Sequence, residues 1–226
     1  YLRWSIDETP VFKELVATNQ RVKYPFIEIF KKAPLAILIA VGGGVLGHGS
    51  YTLMNTYTTN YGVEVLGYAA MEFTMALTIG SLLQLITIPA FGALANRFGS
   101  ARVVGWGALG TLLAAFPLYW FILDATFLTL VLIMVVGGIL PTASWAALGG
   151  MMGDLFDEKA RYTALAVSYN IAAALAATLP FFLTLMRVQT DNAWWHPGIV
   201  LAGLSAITLV AAYAAMRRKS VFSSQA

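Results

Sequence analysis

Two side chains that can carry a proton near neutral pH, His48 and Glu72, lie within or beside long apolar stretches of this 226-residue chain. Ionisable groups in such surroundings are costly to hold and mark a site by default. A His and a Glu facing one cavity can exchange a proton with it, because environment shifts both toward neutrality. Tyr51 or Thr52 follows His48 at i+3 or i+4, Asn55 at i+7 and Thr59 beyond, so one helix face is polar. At about 1.5 Å per residue, His48 lies roughly 20 Å from the start of its stretch, and Glu72 lies a few residues into the next one. The two are expected at similar depth. The alternatives are a His48 bonded to a neighbouring helix carbonyl and a Glu72 that snorkels to an interface. Gln84, Trp145, Tyr169 and Asn170 occupy further apolar stretches. Amides and aromatic polar tips there can bind a carboxylate or hydroxyls, so with Asn55 and Tyr51 they form a candidate small-molecule set. Asn170 as inter-helix glue and Trp145 as an interface anchor are the competing readings.

The elements that must position these groups are six apolar stretches, at 34–57, 67–91, 103–123, 126–150, 162–186 and 197–216. Each is long enough to cross a hydrocarbon core of about 30 Å, which takes about 20 residues. Hydrophobic residues make up 59% of the chain and charged ones 11%, too few charges for the outer faces of a soluble protein. The chain is read as an all-α membrane protein. Small residues such as Gly42, Gly43, Gly44, Gly137 and Gly138 let helices approach closely. Pro89, Pro117, Pro141 and Pro180 are expected to bend helices and free carbonyls.

Charge sets the orientation. Thirteen of the 14 Lys and Arg residues fall before the first stretch, after the second and fourth, or after the last, and only Arg187 falls on the opposite side. Positive loops are retained in the cytoplasm, so both termini are expected there, as an even number of spans also requires. Residues 1–33 read as a cytoplasmic segment with short amphipathic helices, one starting at Thr9-Pro10, resting on the lipid surface or linking two membrane domains. Residues 217–226 read as a cytoplasmic tail. The net charge of +3 is accounted for by these loops and calls for no nucleic-acid partner. The chain opens on Tyr1 without an initiating Met, which reads as a fragment of a longer protein.

Two loops and the opening carry a resemblance. Gly92-Ala93-Leu94-Ala95-Asn96-Arg97-Phe98-Gly99 resembles the loop between the second and third helices of each half of the major facilitator superfamily, with Asn96 in place of the usual acid. Asp154-Leu155-Phe156-Asp157-Glu158-Lys159-Ala160-Arg161-Tyr162-Thr163 resembles the segment entering the eleventh helix of metabolite:proton symporters in that superfamily. Glu8-Thr9-Pro10-Val11-Phe12 resembles the stretch just after their sixth helix. The resemblance implies a central loop plus helices seven to twelve, one half-bundle of a twelve-helix fold whose other half is missing from this sequence. It further implies a transporter of the inner or plasma membrane. Asn96, Arg97, Asp154 and Arg161 then become gating candidates: acids ahead of the fifth stretch favour a helix N-terminus, and either arginine can pair with them in one conformation. An exposed, screened pair worth about 0–1 kcal/mol is the alternative.

The function expected is therefore proton-coupled symport of a small metabolite, such as an organic acid, aromatic acid or betaine, by alternating access within the lipid bilayer. A structural or passive channel-type membrane domain is the alternative. An intramembrane enzyme would need a nucleophile–base set or metal ligands, and the chain offers no Cys and no acidic pair within a stretch. No cofactor, metal or catalytic residue is expected.

Overall fold

The structure is a computed structural model that describes residues 30, 31, 33–156 and 158–222. The Thr9-Pro10 helix start, the Glu8–Phe12 match, Lys32 and Asp157 lie outside the described residues, as do the last four residues of the expected tail. Among the described residues there is no strand.

Among the described residues, six helices are long and apolar enough to cross a membrane: Pro34–Glu64, Ala70–Phe98, Ser100–Phe121, Phe127–Gly153, Arg161–Gln189 and His196–Arg218. The first comprises α1 (Pro34–Thr52), a π-helical turn (Leu53–Thr58) and α2 (Thr59–Glu64). Next come α3 (Ala70–Phe98), α4 (Ser100–Phe121) and α5 (Phe127–Gly153). The fifth is broken into α6 (Glu158–Ala177) and α7 (Leu179–Gln189), and α8 (His196–Phe222) is the last element among the described residues.

Local chemistry explains the boundaries. Pro34 opens α1, where its missing N–H is no loss. The Thr126 hydroxyl accepts the Thr129 amide at 3.3 Å and caps α5. Pro180 sits at the start of α7 and denies the fifth span a continuous ladder. Pro89, Pro117 and Pro141 lie inside α3, α4 and α5 instead of ending them. In the first span, the buried Thr58 hydroxyl turns back to the Leu53 carbonyl at 2.9 Å, within the wider π turn.

One expectation is corrected. Residues 92–98 form the last two turns of α3, and the connection to α4 is Gly99 alone, at φ 95°. Ala93, Leu94 and Ala95 favour helix, and only a residue without Cβ turns so sharply at little cost.

The long helix α5 packs on both α3 and α4, α8 packs on α4 and α1, and α1 also meets α6. In the most apolar window of the first span 67% of residues are buried, against 6% for α3. The first span is therefore the axis of the bundle, and α3 is an outer wall. Close approach follows from small side chains: a Cβ on Gly42 would meet the Ala211 Cβ at 3.1 Å, and one on Gly44 the Ala172 Cβ at 3.0 Å. The Thr208 hydroxyl of α8 donates to the Gly42 carbonyl at 2.8 Å and accepts the Leu46 amide at 3.3 Å, so it is wedged into the α1 ladder. Apolar core fills both ends. One cluster runs from Ala36 to Met152 and Ala212, and the other gathers Leu53, Tyr61, Phe73, Tyr119 and Leu201.

Candidate functional site

A cavity of about 450 Å³ opens at the level of His48, walled by α1 and the π turn, α3, α5 and α6. α1 contributes Gly47, His48 and Tyr51, the π turn Asn55, α3 Gln84, and α5 Pro141, Thr142 and Trp145. Among the described residues, none of its lining is Asp, Glu, Lys or Arg. The wall can bind by hydrogen bonding and aromatic contact, with His48 as its one titratable group near neutrality.

Three rings from three helices meet at its edge. The imidazole of His48 stands edge-on to Trp145 at 4.8 Å and to Tyr169 at 4.5 Å, and Trp145 and Tyr169 are 5.7 Å apart. The Nε2 of His48 is buried, and no partner is present for it among the described residues. Trp145 gains this seat because Gly47 has no Cβ; one there would collide with the indole ring. Beyond Trp145 and Tyr169 lies a second hollow of about 420 Å³, reaching Met152 and Tyr162. Trp145 lines both hollows, so the ring cluster divides them.

His48, Tyr51, Asn55, Gln84 and Trp145 are thus brought to one cavity, and Tyr169, the third ring of the cluster, lines the second hollow instead. The Gln84 amide lies over Gly138, where a Cβ would come within 2.7 Å of its nitrogen. Asn55 donates to the Tyr51 carbonyl at 3.0 Å. Asn170 lines neither hollow; its amide is spent on the Ala166 carbonyl of its own helix at 2.7 Å.

Glu72 is not at the depth of His48. It occupies the first turn of α3, whereas the cavity meets α3 at Gln84 and Ile88. Twelve residues of helix put Glu72 about 18 Å away along the axis. The expectation fails because the first helix continues to Glu64, seven residues beyond the expected 57, which leaves His48 near the middle of its span. Of the gating candidates, Asn96 and Arg97 are exposed in the last turn of α3, with the Arg97 guanidinium 5.2 Å from the centre of the Phe98 ring. Asp154 directly follows α5, and Arg161 donates through Nε to the Phe156 carbonyl at 3.4 Å.

Sequence reasoning passes over two features. One is Thr142, which lines the cavity beside Pro141, the proline expected to free a carbonyl and here leaving that of Gly137 without its helical donor. The other is a polar cluster at the opposite end of the first span, around His196, Tyr57 and the Arg187–Glu64 ion pair at 3.0 Å. The only signal for it is a His at the mouth of the last apolar stretch, behind Trp194-Trp195.

A family model described as the Major Facilitator Superfamily matches residues 39–225. Among curated proteins, the chain is 26% identical over 221 residues to the "Inner membrane metabolite transport protein YhjE" of Escherichia coli (strain K12), covering 93% of this chain and 49% of that protein. It is 24% identical over 234 residues to a "Putative metabolite transport protein" of Haemophilus influenzae, covering 98% and 53%. It is 23% identical over 216 residues to a "Putative proline/betaine transporter" of Staphylococcus aureus (strain MSSA476), covering 93% and 46%. The chain spans about half the length of these relatives. No solved structure matches it significantly.

Proposed function

Since this chain belongs to the Major Facilitator Superfamily, we propose that it forms six helices of a secondary active transporter that carries a small metabolite together with a proton by alternating access. The observation that carries the reading is the neutral cavity bearing one unpaired imidazole nitrogen, His48 Nε2. An anionic solute placed against such a wall lacks a countercharge, which is costly in a low-dielectric site. Protonation of His48 supplies both the countercharge and a donor. Solute and proton then favour each other's binding, and such reciprocal coupling is what symport requires. Tyr51, Asn55 and Gln84 would orient the solute. The names of the relatives support metabolites as the substrate class, betaines among them. No covalent step is involved: the family and the relatives are transporters, not enzymes.

In this reading the protein resides in the inner or plasma membrane. The end of the bundle that carries Gly99 and Arg161 faces the cytoplasm, as its positive charge favours. A second set of six helices covers the bare face of α3 and completes the cavity; the half-length match to the relatives supports this. Arg97, Asp154 and Arg161 would then lie at the cytoplasmic gate.

The test is uptake of labelled organic acids, betaines and aromatic acids by the intact protein in energised vesicles, with and without a protonophore. Accumulation of one solute that collapses with the gradient and is lost in His48→Ala is the expected result. Equilibration that ignores the gradient would overturn the coupling role.

A further inference from the structure

A proline inside a helix takes the hydrogen-bond donor away from the carbonyl four residues back. Pro89, Pro117 and Pro141 do this to Leu85, Leu113 and Gly137. Leu85 and Leu113 line neither hollow, and each side chain is 70% exposed. Gly137 lines the His48 cavity together with Pro141 itself, and it has no side chain to screen its backbone.

Among the described residues no side chain repairs that loss. The Thr142 hydroxyl has a single hydrogen, and it goes to the Gly138 carbonyl at 2.7 Å. A bare carbonyl at membrane depth is costly unless it lies within protein or faces a wet cavity. Beside the cavity, the Gly137 oxygen is an acceptor kept for what enters.

The neighbouring group decides which donor fits. The nitrogen end of the Gln84 amide lies over Gly138, so the wall sets an N–H donor close to an unused carbonyl. A hydroxyl answers both, since it gives one hydrogen and accepts another. An ammonium only gives, and it leaves the Gln84 hydrogen without an acceptor. It would also add a second positive charge beside a protonated His48, in a lining with no Asp or Glu. A methyl group serves neither.

We infer that the solute is a hydroxylated carboxylic acid, with its hydroxyl seated between the Gly137 carbonyl and the Gln84 amide. The inference rests on the transport reading, in which His48 meets the acid group, and narrows the solutes to acids that carry a hydroxyl. Pro141 becomes a specificity-determining residue, acting through the bond it withholds.

The test compares acids that differ only by the hydroxyl: lactate with propanoate, malate with succinate, and mandelate with phenylacetate. Binding is read as thermal stabilisation of the intact protein in detergent. The hydroxy acid of at least one pair is expected to bind about threefold to tenfold more tightly than its parent, the factor that one hydrogen bond gives. Equal binding within every pair, or no binding by any hydroxy acid, overturns the inference. Pro141→Ala returns an amide hydrogen to Gly137, and the preference is expected to fall to about one. A change that merely spoils the cavity weakens both members alike and keeps their ratio, so a preference that survives Pro141→Ala also overturns the inference. Gln84→Leu serves where Pro141→Ala does not fold; it is expected to cut the preference, and an unchanged one is equally fatal. Uptake of the same pairs by energised vesicles separates the two readings. Preferential binding without accumulation sinks the transport reading and keeps the inference, whereas accumulation without the preference does the opposite.

Discussion

Two glycines shape the cavity by what they lack. Gly47 leaves the room that the Trp145 indole occupies, and Gly138 leaves the room beneath the Gln84 amide. Gly47→Ala is therefore expected to lower stability by about 1–3 kcal/mol, as overpacking does, and by much less in a Trp145→Ala background. Thermal unfolding of the four proteins of that cycle in detergent checks it; equal losses in both backgrounds would mean that the indole does not rest on Gly47. Thr208→Val removes the hydroxyl wedged between Gly42 and Leu46 and should cost about 0.5–1.5 kcal/mol in the same assay. At this scale the sequence was partly legible. His48, Asn55 and Gln84 stand out because a polar group in an apolar run has few reasons to be there. Asn170 stands out equally, yet it answers its own need on the Ala166 carbonyl one turn back. No periodicity distinguishes the two cases, since a bond to the same helix leaves no trace in the pattern.

The helices themselves were legible as apolar runs, and their ends were not. Hydropathy marks where lipid stops, whereas a helix ends where its ladder loses partners, so α3 runs past its apolar stretch to Phe98 and the first helix runs to Glu64. Glu72 was misplaced in depth for that reason. Gly99, at φ 95°, carries the whole connection between α3 and α4. Gly99→Ala is expected to cost about 1–2 kcal/mol, because an L side chain is strained there whatever space surrounds it. An unchanged unfolding temperature would show that the turn relaxes at no cost. Pro180 matters differently. Pro180→Ala should let α6 and α7 join into one helix, with a higher unfolding temperature and slower transport if the break serves motion; transport as fast as before would make the break ornamental.

For the molecule as a whole, thirteen of the 14 cationic residues fall in sequence before the first apolar stretch, after the second or fourth, or after the last, and Arg187 alone falls after the fifth. If that asymmetry fixes orientation, a cysteine placed at Asp191 should react with a membrane-impermeant maleimide added to intact cells, and one placed at Asn96 should not. The reverse pattern would turn the bundle over, and with it the face on which His196 lies. The axial helix adds a mechanical consequence. Its π turn at Leu53–Thr58 is a dislocation, one residue too many in an otherwise regular lattice. Every residue that such a defect passes is re-aimed by about 100°, the angle that one residue subtends in an α-helix. The far third of this helix, Tyr57 and Tyr61 included, thus presents a face turned by about that angle from the one an unbroken α-helix would give it, and that offset is what aims both tyrosines into the core.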